Sequence, residues 1–237
     1  MARWSTVWSW TRAWGVDAPM NAQTQKLTIE GPAGTLEVLW DSPAGLDGPQ
    51  PLGIAVIAHP HPLFGGTMDN KVVQTLARAF VQAGWSALRF NFRGVGQSLG
   101  TYDEGRGELE DMLSVVEARA ANGPLALAGF SFGAFVAGSA AVRLHANRRL
   151  DHLVLVGAAA SRFDLEQVPF PLRPRTLLVH GEVDETVPLA AVMDWARPQN
   201  LPVTVLPGCS HFFHGQLPLL RQVIGGGIAA HMATVTT

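Results

Sequence analysis

Apolar and polar residues are laid out along this chain in alternating blocks. From residue 27 onward, short runs rich in Val, Ile, Leu and Phe trade places with helix-length segments whose apolar residues recur every three or four positions. LTIE (27–30) and TLEVLW (35–40) predict an opening pair of strands, joined by the Gly-Pro-Ala-Gly turn at 31–34. GIAVIAH (53–59) is a continuous apolar run, as expected of a strand buried on both faces. WSALRFNF (85–92), LALAGF (125–130), HLVLVG (152–157), TLLVHG (176–181) and PVTVL (202–206) predict five more. Between them, Asp69 is placed to cap a helix whose stripe is Val72, Val73, Leu76, Ala79 and Phe80, ending at Gly84. Further helices are predicted from about Glu104 to Ala121 with an Asn-Gly-Pro stop, from Ser131 to about His145, over 188–195, and from Gln216 to about Met232. This alternation implies an α/β fold: a mostly parallel eight-stranded sheet with helices on both faces. Strand order does not follow from the pattern. The one long irregular stretch, 158–174, joins two strands and is too short for a cap domain, though long enough for a small lid.

Composition narrows the class. At 237 residues the chain fits one sizeable domain. Apolar residues make up 47% and charged residues 15%, against about 25% charged in ordinary soluble proteins; so much apolar surface argues against disorder. The formal charge of −2 does not suit a surface for phosphate backbones or anionic lipids, so neither nucleic acid nor membrane is an expected partner. No run reaches the ~18 apolar residues of a membrane span. The single cysteine, Cys209, cannot form an intramolecular disulfide, and the start makes a poor signal peptide, so a cytoplasmic location is expected. Four of the seven tryptophans (Trp4, Trp8, Trp10, Trp14) crowd the first fourteen residues. Residues 1–24 therefore read as a Trp-rich extension and 25–237 as the domain. Met20 is a second candidate start, while Trp4 and Trp8, one helical turn apart, could dock on the domain or on a second subunit in a homodimer.

The strongest chemical signal is Gly129-Phe130-Ser131-Phe132-Gly133, a match to G-x-S-x-G between a buried strand and a helix. A turn this sharp strains the serine backbone and lifts its hydroxyl above the sheet edge, and glycines two before and two after make room for it. The Phe132 N–H, opening the helix, then points where negative charge develops on a carbonyl oxygen. Serine needs a base and an orienting acid, which in this architecture follow in the order Ser, Asp or Glu, His. Asp184 lies just past the strand ending at Gly181, and His211 just past the last strand, at the carboxyl ends where parallel sheets place their sites. Glu182, Glu185 and Asp164 are alternatives for the acid, and His214 for the base. Cys209 reads as a small buried residue rather than a nucleophile. His59 and His61 could form a metal pair, but no third ligand stands at metal-site spacing. His145, His152, His180 and His231 read as ordinary core or surface residues.

The elbow, HGEVDETVP and GCSHFF resemble the α/β-hydrolase superfamily, and AHPHPLFGGTMDNKVV with LRFNFRGVGQSLGTYDEGRGELED resembles a small uncapped bacterial branch related to dienelactone hydrolases. Those enzymes use cysteine at the elbow; Ser131 points instead to ester hydrolysis. The resemblance covers about 27–225. It implies an α/β-hydrolase fold without a cap domain. It also implies a second oxyanion donor after the third strand, where Pro60 and Pro62 lack an N–H and the backbone of His61 is favoured, with Leu63 second. Gly94-Val95-Gly96-Gln97-Ser98-Leu99-Gly100 is then a structural loop rather than a dinucleotide cradle, anchored by Arg93 through a carboxylate. The expectation is a serine carboxylesterase without cofactor or metal, using Ser131, His211 and Asp184 on small or short-acyl esters. A thioesterase, a small serine peptidase and a non-catalytic scaffold are the alternatives.

Overall fold

The computed structural model describes residues 24–43, 50–148 and 150–233. The early tryptophans and Met20 lie outside the described residues. The eight strands are β1 (Gln25–Gly31), β2 (Gly34–Asp41), β3 (Ile54–Ala58), β4 (Ser86–Phe90), β5 (Leu125–Phe130), β6 (His152–Val156), β7 (Thr176–Gly181) and β8 (Val203–Leu206). They form one sheet in the order β1-β2-β4-β3-β5-β6-β7-β8. The β1–β2 and β2–β4 pairs are antiparallel and every later pair is parallel.

Period-two alternation along the central strands sends side chains to two separate cores. Val56, Leu88, Leu127 and Leu155 pack beneath α2 (Arg106–Ala120), α3 (Phe132–Leu144) and α4 (Leu189–Ala196). Ile57, Ala87, Ala128 and Val156 face α1 (Lys71–Gln82) and α5 (Leu217–Ala233). Both faces are therefore dry, which is why the strands read as unbroken apolar runs. The predicted stripe of α1 is buried in full: Val72, Val73, Leu76, Ala79 and Phe80. Burying a side chain such as Phe80 contributes ~1.5–3 kcal/mol.

One end of α1 departs from expectation. Asn70, not Asp69, is the cap: its Oδ1 accepts the Val72 N–H at 2.9 Å. Asp69 is instead drawn to Arg89 (3.3 Å), a guanidinium buried on β4 that also donates to Asp41 Oδ2 (2.8 Å) and to the Met68 carbonyl (3.0 Å). Two adjacent cap-forming residues are equal by sequence, and a distant cation decides between them. The segment 158–174 is fastened to the helical layer. Val168 N–H bonds Gln199 Oε1 (2.7 Å), Arg173 reaches the Val168 and Gln199 carbonyls, and Trp195 Nε1 donates to the Leu165 carbonyl. No helix among the described residues is long and apolar enough to cross a membrane.

Candidate active site

The elbow forms because two backbone crossings leave no room for side chains. A Cβ on Gly129 would sit 2.0 Å from the Gly133 carbonyl oxygen, and one on Gly133 would sit 2.3 Å from that of Ala58. Between them Ser131 adopts φ 57°, ψ −116°, strained for a residue with a Cβ. Its N–H is tied to the Val156 carbonyl on β6 at 2.9 Å. The backbone thus holds the hydroxyl at the carboxyl edge of the sheet.

Three side chains from three strand ends meet there. Ser131 Oγ lies 3.0 Å from His211 Nε2, and His211 Nδ1 lies 2.6 Å from Asp184 Oδ2. Asp184 Oδ1 accepts the N–H groups of Thr186 (2.9 Å) and Val187 (2.7 Å), so the carboxylate is fixed at both oxygens. Burial by itself would raise the Asp184 pKa. The hydrogen bonds from His211 and Val187, with the charges of His211 and His180, outweigh it and hold the carboxyl below its ordinary range. The imidazole of His211 rests against the Phe130 ring, centroids 4.9 Å apart, and is itself buried.

The alternatives fall elsewhere. Glu182 Oε2 accepts the Gly208 N–H (2.8 Å), and Glu185 Oε2 lies 3.5 Å from the His211 backbone nitrogen rather than its ring. Asp164 and His214 are exposed. Cys209 is buried, and burial pushes its thiol pKa up.

The loop after β3 is held by its own histidines. Phe92 N–H donates to His59 Nε2 (3.1 Å), so the ring proton sits on Nδ1 and is donated to the Pro60 carbonyl (2.6 Å). Burial pushes His59 down to about 4, against a partial rise from that carbonyl. Leu63 N–H donates to His61 Nδ1 (3.2 Å), which leaves the neutral ring its proton on Nε2, facing Tyr102 Oη at 3.2 Å. Both nitrogens of each ring are engaged within the protein, which removes the metal-pair reading. The same bond commits the Leu63 N–H, so among the loop's candidate donors the His61 N–H is the one not engaged in this way.

Around His61 gathers an aromatic wall: Phe64, Tyr102, Phe132 and Phe163, with ring centroids 4.7–6.0 Å from the imidazole. Phe64 and Leu63 are exposed, as is Phe212 beside His211, so the aromatic wall and the His211 loop each carry exposed apolar surface. The glycine-rich loop is structural: Gly94, Gly96 and Gly100 all take positive φ, and Gln97 N–H bonds Glu37 Oε2 (3.1 Å). Arg93 is anchored through a carboxylate, that of Asp111, with Nε at 3.0 Å and Nη2 at 2.7 Å.

Three histidines read from the sequence as ordinary core or surface residues have partners. His152 and His231 stack with Nδ1 atoms 3.3 Å apart, far from the elbow in sequence and with no local pattern to announce it. His180 is fully buried, its Nε2 3.4 Å from Asp184 Oδ2. Its only signal was its place four residues before Asp184.

A sheet of this order with an elbow serine at its centre defines an α/β hydrolase, and the described residues include no cap domain. The family model described as "Serine aminopeptidase, S33" matches residues 51–174. A protein of Rickettsia prowazekii is 30% identical over 201 residues, 79% of this chain and 82% of its own. Among solved structures, an α/β serine hydrolase without a lid from Xanthomonas campestris is 36% identical with a TM-score of 0.78, over 90% of this chain and 97% of that one. An α/β serine hydrolase homologue from Coxiella burnetii is 39% identical with a TM-score of 0.74, over 85% and 95%. The chain belongs to this family of serine hydrolases.

Proposed function

We propose that the protein is a carboxylesterase for small or short-acyl esters, with Ser131 as nucleophile, His211 as base and Asp184 as orienting acid. The observation that carries the reading is the continuous hydrogen-bonded line Ser131 Oγ, His211 Nε2, His211 Nδ1, Asp184 Oδ2, at 3.0 and 2.6 Å. Ser131 Oγ attacks the ester carbonyl carbon while His211 takes its proton. The oxyanion is bound by the N–H groups of Phe132, at the start of α3, and of His61. His211 returns the proton to the departing alkoxide, leaving Ser131 acylated; water then repeats the sequence and releases the acid. Asp184 stabilises the imidazolium at each stage. Esters are favoured because an alkoxide leaves more readily than an amine. No cap domain among the described residues overhangs the exposed apolar rim of Leu63, Phe64 and Phe212, and such an open rim suits small acyl groups.

The serine peptidase reading is favoured by one finding, the description of the matching family. Amino-acid p-nitroanilides compared with p-nitrophenyl esters separate the two. A fluorophosphonate should label native wild-type protein at Ser131 and leave Ser131→Ala unlabelled; absence of label on the native wild type would sink the catalytic reading. Within the esters, p-nitrophenyl acetate should turn over faster than the palmitate, and the reverse ranking contradicts an open site.

A further inference from the structure

The last two residues of β7 are His180 and Gly181, and Asp184 stands on the turn that follows. His180 is fully buried and takes no part in the reaction as written above. Its Nε2 lies 2.9 Å from the Val187 carbonyl oxygen. A carbonyl can only accept, so Nε2 carries the ring proton. The same nitrogen lies 3.4 Å from Asp184 Oδ2, the oxygen that receives His211 Nδ1, a close approach rather than a second hydrogen bond. Nδ1 of His180 is buried without a hydrogen-bond partner, so a second ring proton there would be an unsatisfied charge. Burial accordingly lowers the His180 pKa, only partly opposed by the Val187 bond and the Asp184 charge. The ring is a fixed neutral donor, not a second base.

We propose that His180 is a positioning residue for Asp184, clamping the acid turn onto β7 through the Val187 carbonyl. The proposal rests on the reading of Asp184 and His211 as acid and base. Val187 is gripped from both sides, its N–H by Asp184 Oδ1 at 2.7 Å and its carbonyl by His180. With Oδ1 filled by the turn's own backbone, rotation of the carboxylate about its axis is blocked and Oδ2 is left aimed at His211. Without the His180 donor the Val187 carbonyl loses its tie to β7, and with it the turn that presents Asp184 is held less firmly to the strand. The donor is needed at one atom only. His180→Gln carries an amide nitrogen to the place of Nε2. His180→Asn brings one only to the place of Nδ1, where no acceptor waits, and His180→Phe keeps volume and removes the donor.

The test is the rate constant for fluorophosphonate labelling of Ser131 in wild type, His180→Gln, His180→Asn, His180→Phe, Asp184→Asn and the His180→Phe/Asp184→Asn double variant, with thermal unfolding midpoints alongside. Labelling should stay within ~2-fold of wild type for His180→Gln and fall ~10-fold for His180→Asn and His180→Phe. In the Asp184→Asn background, His180→Phe should change it by less than ~2-fold, because residues acting through one another are not additive. Equal rates for the Gln and Asn variants would overturn the proposal, and that comparison stands even if the Phe variant does not fold. A Phe-variant loss of the same size in both backgrounds, with a lowered midpoint, would mark packing alone and overturn it too. Labelling of a Ser131→Ala control would overturn the nucleophile assignment instead, which separates the two failures.

Discussion

Replacing Gly133 by alanine sets two effects of opposite sign against each other. In a helix interior the change should stabilise by up to ~1 kcal/mol. Gly138, on the same helix, shows that case, since a Cβ there would meet nothing within 4 Å. At Gly133 the new carbon would lie 2.3 Å from the Ala58 carbonyl oxygen and 2.5 Å from that of His59, where ordinary contact begins at 3.4 Å. Both obstacles are backbone, so the start of α3 and the end of β3 must separate by roughly 1 Å in an interior packed to crystal density. Overpacking of this kind costs ~1–3 kcal/mol, which exceeds the propensity gain. The displaced groups are the two proposed oxyanion donors, and a misplacement of ~1 Å in a reacting site costs ~100-fold in rate. Gly133→Ala should therefore lose ~100-fold in kcat/KM for p-nitrophenyl acetate and unfold at lower temperature. Gly138→Ala should keep its activity and gain ~0.5–1 kcal/mol, a rise of about 1–4 °C for a chain of this size. Equal activity and stability in the two variants would refute the packing argument for the elbow glycines.

Two further outcomes follow from buried groups. His59 titrates at about 4 in the folded protein against an ordinary 6.5, so between those values the unfolded chain binds more protons. Its contribution to stability is whole above about pH 6.5 and declines as pH falls through that window, by ~3 kcal/mol at the limit. Denaturant midpoints measured from pH 7 to 4 should fall with pH, and less steeply in His59→Gln; an unchanged slope would assign the decline to other groups. Asp41→Ala leaves the buried Arg89 guanidinium only the exposed Asp69 carboxylate and the Met68 carbonyl, and urea unfolding should show a loss of ~3 kcal/mol, partly recovered by adding Arg89→Met. A single variant no less stable than the double would contradict that reading of the pair.

What could be read from the sequence was whatever depends on neighbours along the chain. Continuous apolar runs such as 125–130 must be strands buried on both faces, and the elbow glycines flank a turn that only small residues permit. Asp184 and His211 were legible because a parallel sheet brings its strand ends together whatever the lateral order. The order itself was not, since equally apolar runs fit any central position and only the crossovers decide. Long-range polar choices were also hidden. Asp69 loses the cap to Asn70 because Arg89 lies beside it. The stacking of His152 on His231, the bond of His61 to Tyr102 and the contact of His180 with Asp184 join residues whose local patterns say nothing of each other, apart from the last pair's spacing.

The nucleophile assignment is tested most directly by mixing the protein with p-nitrophenyl acetate, quenching in acid within the first turnover, and examining the digested protein by mass spectrometry. A Ser131 acyl-enzyme predicts one acetyl group on the peptide containing Ser131, formed with a matching burst of p-nitrophenolate, and neither in Ser131→Ala. Hydrolysis by Ser131→Ala at the wild-type rate, with no acetylated peptide in either protein, would contradict it.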